Sequence, residues 1–205
     1  MTVSSDVEIC NLALLRLGTN PITSLTDDGT TASNACLLVY DSTKKSLLRR
    51  HFWNFSMQRA ALAADVTTPA FEFSYQYTLP SDFLRLKEIE QQSSSYSIES
   101  GKLLTNQSAP LNIIYVGDVE DVTRFDSLFV EALVLMIVVK IGPRIQGDGF
   151  NPAPFVQELQ QVLLEAKMVD AQDSSPDQLK IDTFTKSRYG YTDGVVGGMS
   201  WFDYY

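Results

Sequence analysis

The stretch Leu128–Ile141, LFVEALVLMIVVKI, constrains the fold more than any other. Its β-branched content suits a strand, but it is long for one. Glu131 near its start and Lys140 near its end match the partial charges at the two ends of a helix. As a helix it is apolar nearly all round, so no side of it is fit to face water and it must be a central, buried element. Its most apolar run, Ala132–Val139, is far shorter than the ~20 residues a bilayer span requires. The rest of the chain therefore has to cover it. Asp126 or Ser127 is placed to cap it, and Gly142-Pro143 to stop or kink it.

The segments available for that cover show helical spacing. Ser5 with Glu8 is a capping-box signature, followed by Ile9, Leu12, Ala13 and Leu17, with Gly18 as the stop; this predicts a helix over 6–17. Asn20-Pro21 and Asp28-Gly29 mark a loop. A second helix is expected from Thr30 or Thr31 to about Arg50, its stripe formed by Cys36, Val39, Thr43, Leu47 and Leu48. Asn151-Pro152 opens a fourth, with Phe155, Leu159, Val162, Leu163 and Ala166 on its buried face. Between the second helix and the central one the period changes. Phe71, Phe73, Tyr75 and Tyr77 alternate with polar residues, as in a half-buried strand. Leu84–Glu90 alternates again, with Ile89 out of phase as at a bulge. Ser100-Gly101 is a two-residue hairpin turn between Tyr96–Glu99 and Lys102–Thr105, and Leu111–Val116 reads as a last strand.

These patterns predict an α+β chain. A four-helix bundle body is expected from residues 1–64 and 118–173, with a small inserted antiparallel β domain of four or five strands at 65–117. An extended C-terminal tail follows at 174–205. Between Asp65 and Asp121 nine acids stand against three bases, so the β segment carries most of the chain's net charge of −9. The tail has four glycines and no sustained periodicity, yet holds Phe184, Tyr189, Tyr191, Trp201, Phe202, Tyr204 and Tyr205. Disordered chains are poor in aromatics. Such a tail either orders on a partner, its rings filling pockets, or packs back on its own domain.

An acidic chain is a poor ligand for a phosphate backbone, whose affinity comes from neutralisation by Lys and Arg. The exception in charge is Tyr40–Ala64, where Lys44, Lys45, Arg49, Arg50 and Arg59 face one acid, Asp41. It also holds the sole histidine, His51, and the cluster Phe52-Trp53-Asn54-Phe55. The bases suit the C-terminal end of a helix dipole on a solvated face. They suit equally a surface that meets an acidic partner or the acidic β segment. Catalytic chemistry finds little footing: one imidazole, no orienting acid in view, and no metal-ligand spacing. The glycines near the C-terminus lack the Lys-Ser/Thr of a phosphate loop. No cofactor is expected. Cys10 and Cys36 lie among helical apolar residues without a Cys-x-x-Cys spacing and read as buried reduced thiols. The acidic start has no basic leader region, so export and membrane attachment are not expected.

Four short stretches occur in an order that resembles a known family. They are Glu8-Ile9-Cys10-Asn11-Leu12-Ala13-Leu14-Leu15-Arg16-Leu17-Gly18; Ala35-Cys36…Tyr40-Asp41 followed by Leu47-Leu48-Arg49…His51-x-Trp53-Asn54-Phe55…Arg59-Ala60-Ala61-Leu62; Tyr75-Gln76-Tyr77-x-Leu79-Pro80-x-Asp82; and Asp126-x-x-Phe129-x-x-Ala132-Leu133. Together they resemble the tail tubular protein A family, the head-to-tail adaptors of short-tailed bacteriophages, over roughly residues 6–173. Members usually carry proline between the His and the Trp. Phe52 stands there instead, which leaves the second helix room to run further. The resemblance implies a non-enzymatic virion protein at the head–tail junction, assembled in the host cytoplasm as a dodecameric ring. Its partners would be the portal protein, a nozzle protein of the tail tubular protein B type, and other copies of itself. DNA would pass through the hole without sequence-specific binding. In that setting the seven tail aromatics become portal-binding candidates, and Lys44, Lys45, Arg49, Arg50 and Arg59 subunit-interface candidates. Two other readings remain: a head-completion or connector protein of a long-tailed phage, and a wall-cleaving hydrolase using paired acids such as Glu88 and Glu90.

Overall fold

Helix α3 (Ser127–Gln146) is the axis of the helical body. A computed structural model of the chain describes residues 3–90 and 95–172. Asp126 caps α3, its Oδ1 accepting from the backbone N–H of Leu128 at 2.8 Å and of Phe129 at 3.4 Å. From Phe129 to Val138 every residue but Glu131 is buried, as are Ile141 and Gly142. Of the stop or kink expected at Gly142-Pro143 the stop does not occur: Pro143 lies inside the helix, which continues to Gln146. Gly142 serves packing instead, because a Cβ there would overlap the ring of Phe150. The helix ends at Gly147, whose φ of 63° is a conformation that suits glycine.

Three helices pack on this axis: α1 (Asp6–Arg16), α2 (Thr31–Arg50) and α4 (Ala153–Gln172). Ser5 caps α1 by accepting from Glu8 N at 3.3 Å. The Glu8 carboxylate reaches back one residue further than a capping box requires, to the N–H of Ser4 at 2.8 Å. Thr30 caps α2 through Ser33 N at 3.1 Å. That helix stops at Arg50 without a proline, because His51 adopts extended dihedrals and its ring is held by α4. Asn151 accepts from Ala153 N at 3.1 Å at the start of α4. The buried faces overlap the predicted ones in part: Ile9 and Ala13 on α1, joined there by Cys10 and Leu14; Cys36, Thr43, Leu47 and Leu48 on α2; Val162 and Ala166 on α4, while Leu12, Val39, Phe155, Leu159 and Leu163 are half-buried.

The body is nonetheless not the expected four-helix bundle. In a bundle each helix buries one stripe toward a shared axis. Here α3 buries most of its circumference and itself occupies the axis, with α1, α2 and α4 as a jacket. Sheet residues complete the cover: Val116 is buried in the same core, and Met57 and Leu84 pack against it. The architecture is mixed α+β around one central helix.

The β segment differs from expectation in number and start. It forms two three-stranded antiparallel sheets. The first has the order β1 (Met57–Leu62), β6 (Leu111–Gly117), β3 (Phe83–Ile89); the second, β2 (Tyr75–Thr78), β5 (Lys102–Thr105), β4 (Tyr96–Glu99). Strand β1 is unforeseen, since Met-Gln-Arg-Ala-Ala-Leu shows no alternation; it is a strand because β6 pairs with it from Met57↔Val116 to Leu62↔Leu111. The alternation at 71–77 yields strand only from Tyr75. Glu72 has φ 68°, Phe73 N bonds to Phe71 O, and Phe71 is exposed. Ser100 and Gly101 take φ 48° and 74°, the pair of positive values a type I′ turn demands. The register of β3 on β6 slips between Leu86 and Glu88, the bulge that puts Ile89 out of phase. Leu62, Tyr77, Ile89, Leu103, Leu111, Ile113 and Tyr115 form a second core fed by both sheets. Strand β6 thus serves two cores, with Tyr115 in one and Val116 in the other.

Candidate interaction site

The basic stretch of α2 meets the first sheet at Asp118, immediately after β6. Lys44 is 7% exposed, and its Nζ lies 2.9 Å from Asp118 Oδ1 and 3.6 Å from Asp41 Oδ1. Asp118 Oδ1 makes no hydrogen bond, so charge and proximity, without directional geometry, hold that contact. Lys45 bonds Asp41 Oδ2 at 2.7 Å and reaches Asp118 Oδ2 at 3.4 Å. The Lys45 hydrogen bond, assisted by the charge of both lysines, holds the Asp41 carboxyl below its ordinary range. Lys140 from α3 adds a bond to Thr43 Oγ1 at 2.8 Å, and Thr43 in turn donates to Val39 O. Two of the five candidate bases are therefore engaged within their own chain, joining helix to sheet.

The other three bases stand apart. Arg49 and Arg50 are exposed in the last turn of α2, where the dipole favours cations. The Arg49 carbonyl accepts from Arg85 Nη1 at 3.1 Å, and the Arg85 guanidinium lies 4.2 Å from the centroid of the Phe52 ring. Arg59 is exposed on β1, in a cross-strand row with Ile114 and Glu88. Beside it Asn112 Nδ2 donates to Glu90 Oε2. Arg59, Glu88, Glu90 and Asn112 share the rim of an open hollow on the outer face of this sheet. The five bases do not form one patch.

His51 and the aromatic cluster make the tightest constellation. Asp170, near the end of α4, accepts from Asn54 N at 2.9 Å through Oδ1 and lies 2.9 Å from His51 Nε2 through Oδ2. Its own carbonyl accepts from Asn54 Nδ2 at 2.7 Å. One turn of backbone at 51–54 is thus clamped to α4. Trp53 is buried, donates from Nε1 to Leu47 O at 3.1 Å, and meets His51 and Phe129 edge to face. Phe55 and Phe125 close on the same Phe129 ring, with centroids 5.0 Å from it. The stretch is packing and tether. Ser56 is fully buried and donates to Trp53 O at 2.9 Å, so it is not presented to the imidazole as a nucleophile.

Asp118 and Asp170, the anions around which these contacts form, carry no signal in the sequence; each is one acid among many, brought to its partners by the fold. Cys10 and Cys36 are both buried, and the Cys10 thiol is pushed up by the neighbouring Cys36 thiol and by burial. Among the described residues no group of three or more His, Cys, Asp or Glu is placed to hold a metal, and no helix is long and apolar enough to cross a membrane. The tail expected at 174–205, with Phe184, Tyr189, Tyr191, Trp201, Phe202, Tyr204 and Tyr205, lies outside the described residues.

No protein-family model and no curated protein matches the chain.

Proposed function

We propose that this chain is a structural adaptor of a short-tailed bacteriophage, a ring-forming virion protein that joins the portal to the tail nozzle around the DNA passage. One observation supports the reading above others: three of the four family-like stretches converge on a single packing unit. Ile9, Cys10, Ala13 and Leu14 of the first stretch, Leu47, Leu48 and Trp53 of the second, and Phe129, Ala132 and Leu133 of the last are buried in one core. Residues that share a core constrain one another, so their joint occurrence in order carries more weight than each short match alone. The acidic balance of the chain fits a passage that must not retain DNA.

Anchoring would be multivalent: each copy contributes one aromatic tail, and the ring raises the effective concentration of the rest once the first has bound. The test uses the full chain and the purified portal ring of the same phage, followed by light scattering and negative-stain microscopy. The chain is expected to add to the portal as a stoichiometric ring. Replacing Trp201, Phe202, Tyr204 and Tyr205 together by alanine is expected to abolish attachment while leaving the circular dichroism spectrum unchanged. A chain that ignores the portal at micromolar concentration would refute the adaptor reading; unimpaired binding by the fourfold variant would refute the role of those rings.

A further inference from the structure

Among the apolar surfaces of the helical body, two match each other. The first is a groove of about 350 Å³ between α1 and the first half of α3. Leu12, Leu15, Leu128, Val130 and Val134 make it apolar. Its rim is dipolar, with Arg16 on the α1 wall and Glu131 on the α3 wall. Positions 127, 130/131 and 134 on α3 are one helical face, as are 12, 15 and 16 on α1, so the groove has the shape that receives a third helix.

The second surface is the outward face of α4. Leu164 is 65% exposed and Met168 66%, one turn apart. Exposed Gln157, Gln161 and Ala171 continue the same face without charge. At ~100° per residue the stripe has Glu165 about 80° to one side and Lys167 about 80° to the other. An apolar ridge flanked by one anion and one cation thus answers an apolar groove flanked by one cation and one anion.

We infer that the α4 ridge of one copy of this chain docks in the α1–α3 groove of a second copy, with Glu165 directed to Arg16 and Lys167 to Glu131. This pairing fixes the direction in which the incoming helix runs, because the reverse direction sets like charges opposite one another. Arg16 already pairs with Glu158 of its own chain at 3.0 Å, and its remaining N–H groups can serve a second carboxylate. Ridge and groove are different surfaces, so the contact is heterologous and repeats from copy to copy, closing into a ring if the rotation closes. The inference deepens the adaptor proposal by naming the contact between subunits, and it rests on that proposal for the ring.

Two variants of the full chain that each gain one cysteine, Leu15→Cys and Met168→Cys, test it with a short bismaleimide, alone and with portal present. Both positions are exposed, whereas the native Cys10 and Cys36 are buried. Mixed together, the two variants are expected to give a cross-linked dimer that neither gives alone. Adding Lys167→Glu to the Met168→Cys copy is expected to lower the yield at least tenfold, and adding Glu131→Lys to the Leu15→Cys copy to restore it. Equal self-cross-linking of each single variant, or no mixed dimer in either condition, overturns the inference. If the mixed dimer is missing while light scattering still shows a ring on the portal, this contact is wrong and the adaptor reading stands. If neither appears, both fall.

Discussion

Replacing Asp170 by alanine removes the clamp between α4 and the turn at 51–54, and the structure sets the size of the effect. The carboxylate accepts two hydrogen bonds, from Asn54 N and from the His51 ring, each at 2.9 Å. Bonds of this kind to a charged acceptor contribute about 1.5–3 kcal/mol each. The Asp170 side chain is 14% exposed and His51 24%, so the lower end applies. A cavity of about 300 Å³ adjoins Asn54 and Asp170 and admits water in place of the lost carboxylate, which recovers part of the loss. The bond from Asn54 Nδ2 to the Asp170 carbonyl survives, since it uses backbone. The expected net cost is about 2 kcal/mol, or a fall of roughly 4–8 °C in Tm for a domain of this size. Asp170→Asn keeps one acceptor for Asn54 N and should cost about half as much. The measurement is urea unfolding followed by far-UV circular dichroism, with His51→Ala and the double variant completing a cycle. A coupling of about 1 kcal/mol between His51 and Asp170 is expected. Asp170→Ala within about 0.5 kcal/mol of the parent would place it among inert surface changes and refute the clamp.

Phe129→Ala empties the site where Trp53, Phe55 and Phe125 meet and should cost about 3–5 kcal/mol by the same unfolding measurement; a loss under about 1 kcal/mol would mean the cluster does not hold the helices together. Lys44→Met leaves Asp118 only the longer contact to Lys45, and Asp118→Leu leaves Lys44 only the longer contact to Asp41, so each should cost about 1–3 kcal/mol, whereas the double variant should lie closer to the parent than either single one. Additive losses would refute that coupling. Stability should fall in acid through Asp41 and Asp65, whose carboxyls are held below their ordinary range chiefly by hydrogen bonds from Lys45 and Lys102. Because the folded values lie below the unfolded ones, this stabilisation is fully present above about pH 4 and is lost as pH drops through the folded values. The urea midpoint of an Asp41→Asn, Asp65→Asn chain should vary less below pH 4 than the parent's, and an equal acid slope would refute the assignment.

What could be read in advance divides along the range of the interactions. Helix faces and caps are set within a turn or two of chain, so Ile9–Leu14, Cys36–Leu48, the Asp126 cap and the Ser100-Gly101 turn were legible from spacing and turn chemistry. Strand β1 was not, because Met57–Leu62 has no strand pattern of its own and is drawn into the sheet by β6. The converse holds at Phe71, where a strand pattern ends in exposed turn because nothing pairs with it before Tyr75. The site residues follow the same division. That the cluster around Trp53 is core could be read from its aromatic density, but Asn54 and its partner Asp170 are 116 residues apart. Lys44 looked like the rest of a solvated basic face, and only the approach of Asp118 makes it a buried junction charge.

The central helix held the reason why the bundle expectation fails. A bundle helix needs one apolar stripe and tolerates charge on the remainder of its surface. From Phe129 to Val138 only Glu131 interrupts the apolar sequence of α3, so three neighbours on one side cannot satisfy it. It demands cover all round, and the chain supplies α1, α2 and α4 together with Val116, Met57 and Leu84 of the first sheet. Covering one helix so completely has a consequence for the jacket. Each outer helix spends one face on α3 and turns the opposite face outward, where polar residues should dominate if nothing further docks. Leu164 and Met168 on α4, and Leu15 beside the α1–α3 groove, break that rule on outward faces. An isolated exposed leucine needs no explanation. A ridge and a groove with complementary flanking charges do, and the proposed occupant, a second copy of the chain, would set opposite charges against each other.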